Sequence, residues 1–314
     1  MEKQVVPISV LIPSMNRLQS LERTLNGYVQ ADWIPRQIVV VDQTQDAATA
    51  QEICQMVQSL STDIVMTYVY QQTPSLPAAR NNALRCAMED VIVCSDDDVD
   101  IYKDTIKMVW EIMQNPAVAM VAGLDDNMGC SKTDIGYLLG TKSFRNRKIG
   151  HVTASVLGRY PDVVSGQVDT QWAMGYFFAV RKSLLEKWNL RWDENLTGYA
   201  FSEDLDFSYA YHRKAAAEGM RCILDERVHV CHLVSQEYRI PSKKHTYGYV
   251  MNRAYISVKH KMGWKSAIAM EWCDFWRLVE RILRRRNPKD LWDALRFKHR
   301  HWKEISQGIL NYPS

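Results

Sequence analysis

A chain of 314 residues, 46% hydrophobic and 24% charged, has room for a large core and an ordinary globular composition, which excludes a disordered or fibrous protein. No apolar run approaches the ~20 residues of a membrane-crossing helix, and the longest candidates, such as "AMGYFFAV", have the length of a core strand. The net charge of +3 conceals a division: residues 241–314 hold 16 Lys+Arg against 6 Asp+Glu, a net of +10 that leaves −7 for the first 240 and marks two jobs.

The opening "MEKQVVPISVLIPS" lacks the shape of a signal peptide, because Pro7 and Pro13 punctuate a strand-like run. Seven cysteines are scattered singly at 54, 86, 94, 130, 222, 231 and 273, with neither metal-ligand pairs nor a disulfide framework. Both features predict a cytoplasmic protein. "ISVLIP" reads as a buried strand. "NRLQSLERTLNGYVQ" follows with Leu18, Leu21, Leu25 and Tyr28 at helical spacing behind Asn16 as N-cap. "RQIVVVD", "IVMTYVY" and "VIVCS" are the next strands, separated by helices over "DAATAQEICQMVQSL" and over "PAARNNALRCAM", the latter begun by Pro77. This alternation predicts a mostly parallel sheet wrapped by helices, in which ligands gather beyond the carboxyl ends of the strands. Residues 126–170 mix Gly, Ser, Asn and charges and read as loops with short strands. Beyond them come a strand and helix in "QWAMGYFFAVRKSLLEKWNL", a helix in "YAFSEDLDFSYAYHRKAAAEG" closed by Gly219, and strand pieces in "RCILDERVHVCHL". The rest is helical, basic and rich in Trp.

Three segments carry chemistry. In "VIVCSDDDVD", Asp96, Asp97 and Asp98 adjoin, and neighbouring carboxylates repel unless a cation is shared or water solvates them. A solvated turn is one reading. The other is a divalent cation on alternate carboxylates, Asp96 and Asp98, with a substrate's phosphates completing its shell. No glycine-rich phosphate loop competes for those phosphates, so Arg17, Arg80 and helix N-termini are left to meet them. In "FSEDLDF", Ser202, Glu203 and Asp204 suit a helix start; one carboxylate there also suits a general base. In "VHVCHL", His229 and His232 lie three apart, which in a strand puts them on opposite faces and argues against joint chelation.

These segments, with "ISVLIPSMNR", "RQIVVVDQTQD", "PSLPAARNNAL" and "WAMGYFFAVRKSLL", resemble in order the nucleotide-sugar glycosyltransferases of the GT-A fold. The chain is most similar to their inverting group, glycosyltransferase family 2, over roughly residues 6 to 235. The resemblance implies a Rossmann-like, mostly parallel α/β sheet. Residues 1–125 would form the nucleotide-sugar-binding half and 126–240 the acceptor-binding and catalytic half, with 241–314 a helical basic extension. It implies that Pro13, Ser14, Asn16 and Arg17 edge the nucleotide pocket, that Asp42 contacts the base beside Gln43, and that Arg80 lies against the nucleotide. Asp96 or Asp97 falls near the ribose, and Asp98 holds the metal, Mn²⁺ or Mg²⁺, with His232 as a further ligand. Asp204 is the implied catalytic base, and Trp172, Met174, Gly175 and Glu203 fall where acceptors approach. The donor is a nucleoside-diphosphate sugar. The acceptor is a glycan, a lipid-linked molecule or a small molecule, as in polysaccharide, glycolipid or cell-surface glycan synthesis. The chain departs from the family pattern at Met15 and at Gln43-Thr44, positions that bear on the choice of donor.

In the tail, Ile268, Trp272, Phe275, Trp276, Val279 and Ile282 recur at near-helical spacing among Arg277, Arg281 and Arg284 to Arg286. Two readings stay open: a helix packed on the core, or a helix on the cytoplasmic face of an anionic membrane, with contact over 264–303. Nucleic acid is not expected, since no binding motif accompanies the charge. A phosphoryl- or nucleotidyl-transfer enzyme on a related sheet, and a non-catalytic sugar-nucleotide-binding or scaffold protein, remain as alternatives.

Overall fold

The structure is a computed structural model that describes residues 3–60, 63–127, 136, 139–141, 148–196, 201–237 and 241–313. Eleven strands are described: β1 (Gln4–Ser14), β2 (Trp33–Asp42), β3 (Val65–Tyr70), β4 (Val91–Ser95), β5 (Val99–Ile101), β6 (Val118–Asp125), β7 (His151–Val152), β8 (Gly158–Arg159), β9 (Gln167–Asp169), β10 (Phe177–Arg181) and β11 (Arg221–His232). Nine form one sheet in the order β3-β2-β1-β4-β10-β6-β11-β5, with β9 paired to β11, while β7 and β8 make a separate ribbon. Strands β1 to β4 pair in parallel, as the alternation predicts. β10 runs antiparallel to both β4 and β6, and β5 and β9 run antiparallel to β11.

The reversal at β10 positions the site. Because β10 opposes both neighbours, β6 runs with β1 to β4, and β11, parallel to β6, does too. The carboxyl ends of β1, β2, β4, β6 and β11 therefore meet at one edge of the sheet, bringing Ser14, Asp42, Ser95, Asp125 and His232 together. β10 enters from the same edge, so the segment Trp172–Tyr176 lies there as well, and the Asp96 amide donates to the Tyr176 carbonyl at 2.9 Å.

Two apolar clusters sandwich the sheet. One face buries Leu21, Leu25 and Tyr28 of the Leu18–Gln30 helix with Ile106 and Val109 of the Thr105–Met113 helix. The other buries Ala79 and Ala83 of the Leu76–Cys86 helix with Phe207, Tyr211 and Ala215 of the Glu203–Ala217 helix. Two helix starts differ in detail from the sequence reading. Asn16 is not the cap of the first helix: Arg17 occupies that position without a side-chain cap bond, and Asn16, at φ 57°, is tied to the β2 exit instead. The Leu76–Cys86 helix begins just before Pro77, with Ser75 accepting from the Ala78 amide.

Residues 126–170 do contain short strands, β7 to β9, but 128–135, 137–138 and 142–147 lie outside the described residues. The C-terminal portion is helical. Its first helix, Ser242–Lys259, is buried over most of its length; Met251, Ala254 and Ile256 share a cluster with Val156, Trp172 and Leu205. The next helix, Gly263–Leu283, buries Ser266, Met270, Cys273 and Asp274, and leaves Trp264, Ile268, Phe275, Ile282 and Leu283 exposed. Residues 264, 268, 275 and 282 fall on the side of the helix opposite to 266, 270 and 273, so its apolar stripe faces outward. No described helix is long and apolar enough to cross a membrane.

Candidate active site

The apolar run of β4 ends at Ser95 and delivers three acids that diverge. Asp96 accepts from Arg80 Nη2 at 3.1 Å. Asp97 turns toward β1, accepting from Ser14 Oγ at 2.7 Å and Arg17 Nη1 at 2.9 Å. Asp98 accepts from the Ser235 amide at 2.8 Å and from the same Arg17 nitrogen at 3.4 Å. Burial and its acidic neighbours push the Asp97 carboxyl up to about 7, although Arg17 and Ser14 pull against it.

Asp96, Asp98 and His232 offer ligand atoms within 4.8 Å of one another. Asp98 Oδ1 stands 3.2 Å from His232 Nε2, yet it is buried without a well-formed hydrogen bond. With the imidazole neutral, two carboxylates and one ring nitrogen at this spacing suit Mn²⁺ or Mg²⁺. The histidine is held in place: its amide donates to Asp125 Oδ1 at 3.0 Å, and its ring stacks on Tyr176 with centroids 5.3 Å apart. Burial disfavours both charged partners, but their contact wins, lowering the Asp98 carboxyl and raising the His232 imidazole.

Asp204 is in the first turn of the Glu203–Ala217 helix, after Ser202 at φ 64°. Its Oδ2 accepts from the Gly175 amide at 2.8 Å and its Oδ1 from the Leu205 amide at 2.7 Å. Gly175 gives room for this approach: a Cβ there would stand 3.1 Å from Arg80 Nη2 and 3.3 Å from Asp204 Cβ, so these side chains would have to shift by a few tenths of an ångström. Burial raises the Asp204 pKa, with the two amides and Arg80 opposing. Glu203 points the other way, its Oε1 3.3 Å from Arg80 Nε; burial holds its carboxyl well above the usual range despite the guanidinium. Arg80, 2% exposed, thus joins Asp96, Glu203 and, at 3.1 Å, the Gly175 carbonyl.

One cavity of about 490 Å³ is lined by Arg80, Asp96, His232, Glu203 and Asp204, with Trp172, Met174 and Gly175 in its wall. The remaining expected residues surround the exits of β1 and β2. Pro13 pairs with Val41. The Asn16 amide donates to Thr44 Oγ1 at 3.0 Å. Asp42, fully buried, accepts from the Thr44 amide and the Tyr68 hydroxyl, both at 2.9 Å. Gln43 Oε1 accepts from the Ser75 amide at 2.7 Å. Asp42 and Gln43 therefore spend these oxygens on internal partners. His229 bonds Asp126 at 2.7 Å, separately from His232. Among the lining residues not singled out from sequence are Asp125, Tyr176 and Arg159. Asp125 carried the same signal as Asp42, an acid closing an apolar strand run; the other two carried none.

The fold recurs in solved glycosyltransferases. The mannosyltransferase PcManGT from Pyrobaculum calidifontis, solved with GDP-Man and Mn²⁺, superposes with a TM-score of 0.57 at 16% identity, covering 98% of this chain and 88% of its own. TarS 1-349 from S. aureus gives 0.51 at 17% identity, covering 85% and 70%. GalNAc-T7, solved with UDP, GalNAc and Mn²⁺, gives 0.56 at 14% identity, covering 95% and 58%. No curated protein matches by sequence. The architecture is the GT-A fold. The pattern described as glycosyl transferase family 2 matches residues 9–188, more than half of the sequence, and the chain belongs to glycosyltransferase family 2.

Proposed function

We propose that the protein is a metal-dependent, inverting glycosyltransferase that moves a sugar from a nucleoside-diphosphate sugar to an acceptor hydroxyl. The observation that carries this reading is the shared cavity: Asp204 and two members of the cation set, Asp96 and His232, line the same space. Asp96, Asp98 and His232 would hold a divalent cation, which when bound would supply Lewis-acid stabilisation of the departing diphosphate. Ser14 and Arg17 fix Asp97 and so hold the acidic turn in register, while Pro13, Asn16, Asp42 and Gln43 shape the nucleotide's edge of the site. Asp204, oriented by two amides, takes the proton of the acceptor hydroxyl as that oxygen attacks the anomeric carbon. Attack from the face opposite the diphosphate is a single displacement and inverts the configuration. Trp172, Met174 and Gly175 wall the acceptor's approach, and Glu203 acts there through Arg80.

The division of labour follows the sheet: residues 1–125 serve the donor, 126–240 the acceptor and base. The 241–314 extension contacts the cytoplasmic face of an anionic membrane through the outward stripe of the Gly263–Leu283 helix. Apolar residues on that stripe, with the exposed Arg284 to Arg286 immediately after it, match a surface that is both apolar and negative. A panel of sugar nucleotides with Mn²⁺, read by thermal stabilisation, tests the central reading. One nucleoside-diphosphate class should raise the melting temperature in a Mn²⁺-dependent way; a flat response across the panel removes the donor and the proposal with it.

A further inference from the structure

Two arginines line the reaction cavity, and their circumstances differ. Arg80 is answered by Asp96 and Glu203. Arg159, at the end of β8, has no carboxylate partner among the described residues. Its Nε donates to the Thr141 carbonyl at 2.6 Å and its Nη1 to the Gly158 carbonyl at 2.7 Å. Those two bonds fix the plane of the guanidinium but leave its charge uncancelled, and Nη2 makes no hydrogen bond among the described residues. Further cations stand close by. Arg253 and Arg277 lie 4.4 and 4.2 Å from the Tyr249 ring centroid, and the carboxylate of this group, Asp274, is taken by Arg253 at 2.6 Å. Burial first, then Arg277 and Arg253, depress the Arg159 pKa, while Tyr249 and Cys273 oppose.

Arg159 lies on the Asp204 side of the cavity. The Arg159 carbonyl accepts from Trp172 Nε1 at 3.1 Å, and Phe201, three residues before Asp204, meets Tyr249 edge-on with centroids 5.2 Å apart. A partly buried, oriented and unneutralised guanidinium is costly unless an anion completes it, and its fork geometry matches phosphate or carboxylate. We propose that Arg159 is a specificity-determining residue that binds an anionic group, a phosphate or carboxylate, on the acceptor. The identity of that ligand as an acceptor rests on the glycosyl-transfer reading; the anion site itself rests on Arg159.

The test uses the full chain in metal-free buffer, which removes phosphate capture by a cation at Asp96, Asp98 and His232. Glycerol 3-phosphate and glucuronate are titrated calorimetrically against their neutral counterparts, glycerol and glucose. Wild type should bind at least one anion and neither neutral molecule. Arg159→Ala should weaken that binding about tenfold or more, Arg159→Lys should retain part of it, and the exposed-site control Arg300→Ala should match wild type. The phosphate and carboxylate arms identify which anion the site takes. Where the alanine variant does not fold, Arg159→Gln removes the charge while keeping a donor for a carbonyl, and carries the same comparison. Equal anion binding by wild type and Arg159→Gln, or no anion binding by wild type, overturns the proposal. The Mn²⁺-dependent nucleotide panel reads the transferase assignment separately, so a failure there strikes the word acceptor and leaves the anion titration standing.

Discussion

Asp98 Oδ1 and His232 Nε2 stand 3.2 Å apart although one follows β4 and the other ends β11. Two strands lie between β4 and β11 in the sheet, so the pair is a product of the fold. Removing either partner should cost more Mn²⁺ affinity than the ~10–100-fold typical of losing an outer-shell group. Calorimetric titration of Mn²⁺ into Asp98→Ala and His232→Ala checks this. Wild-type affinity in both variants would exclude the cation site.

Asp204→Asn should leave nucleotide binding intact and lower kcat by ~10²–10⁴-fold, the usual worth of a positioned base. The amide can accept from only one of the Gly175 and Leu205 N–H groups, so a stability loss of about 1–3 kcal/mol accompanies it. Turnover measured beside nucleotide affinity separates the two effects; a variant with near-normal kcat rules Asp204 out as base.

Acid should inactivate the enzyme at higher pH than an ordinary aspartate dictates. The active form of Asp204 is ionised and its pKa is raised above 3.8, so kcat falls as pH drops through that raised value. A profile at saturating Mn²⁺ and donor whose acid limb stays at or below pH ~4 contradicts this. Stability has the opposite dependence. A carboxyl raised on folding, such as Asp97 from 3.8 to about 7, contributes stability fully present below its unfolded pKa and lost as pH rises through the folded one. In the metal-free protein this contribution should decline between those values, against the opposite contribution of carboxyls such as Asp98 that folding lowers, and the difference in melting temperature between wild type and Asp97→Asn followed across that range isolates it.

Arg80→Met should destabilise by about 3–5 kcal/mol, because Asp96 and Glu203 lose their shared cation while Glu203 remains buried. Adding Glu203→Gln should restore part of the loss, and denaturant titration of both single variants and the double gives the coupling. Additive losses would show that the pair is not coupled.

Trp264→Ser with Ile268→Ser should leave the melting temperature unchanged, since these side chains are 70% and 60% exposed. Sedimentation with phosphatidylglycerol vesicles should nonetheless be lost, and wild-type binding should weaken with salt. Equal sedimentation of the double variant would leave the stripe without a membrane role.

The parallel part of the sheet was legible because β1, β2 and β4 are apolar runs closed by a polar or acidic residue, Ser14, Asp42 and Ser95. Asn16 was misread because a local capping preference was outweighed by contacts with Thr44 and Gln45, far along the chain. Helical period revealed the stripe at 268, 275 and 282, but period alone does not say which side meets the core. Arg159 and Tyr176 reach the site through space, from a two-residue strand and from the turn before β10, and no sequence spacing encodes either. The antiparallel sense of β10, which aligns β6 and β11 with the rest, was likewise invisible in a five-residue apolar run.

Arg80 bridges Asp96 and Glu203, which on the proposed mechanism are the carboxylate beside the leaving group and the one beside the base. New acceptor preferences are therefore not freely evolvable at Glu203, because a change there disturbs the charge balance that donor chemistry depends on. Diversification is channelled to wall positions outside this tether, such as Met174, where a side chain can vary without the two half-reactions trading one gain for another loss.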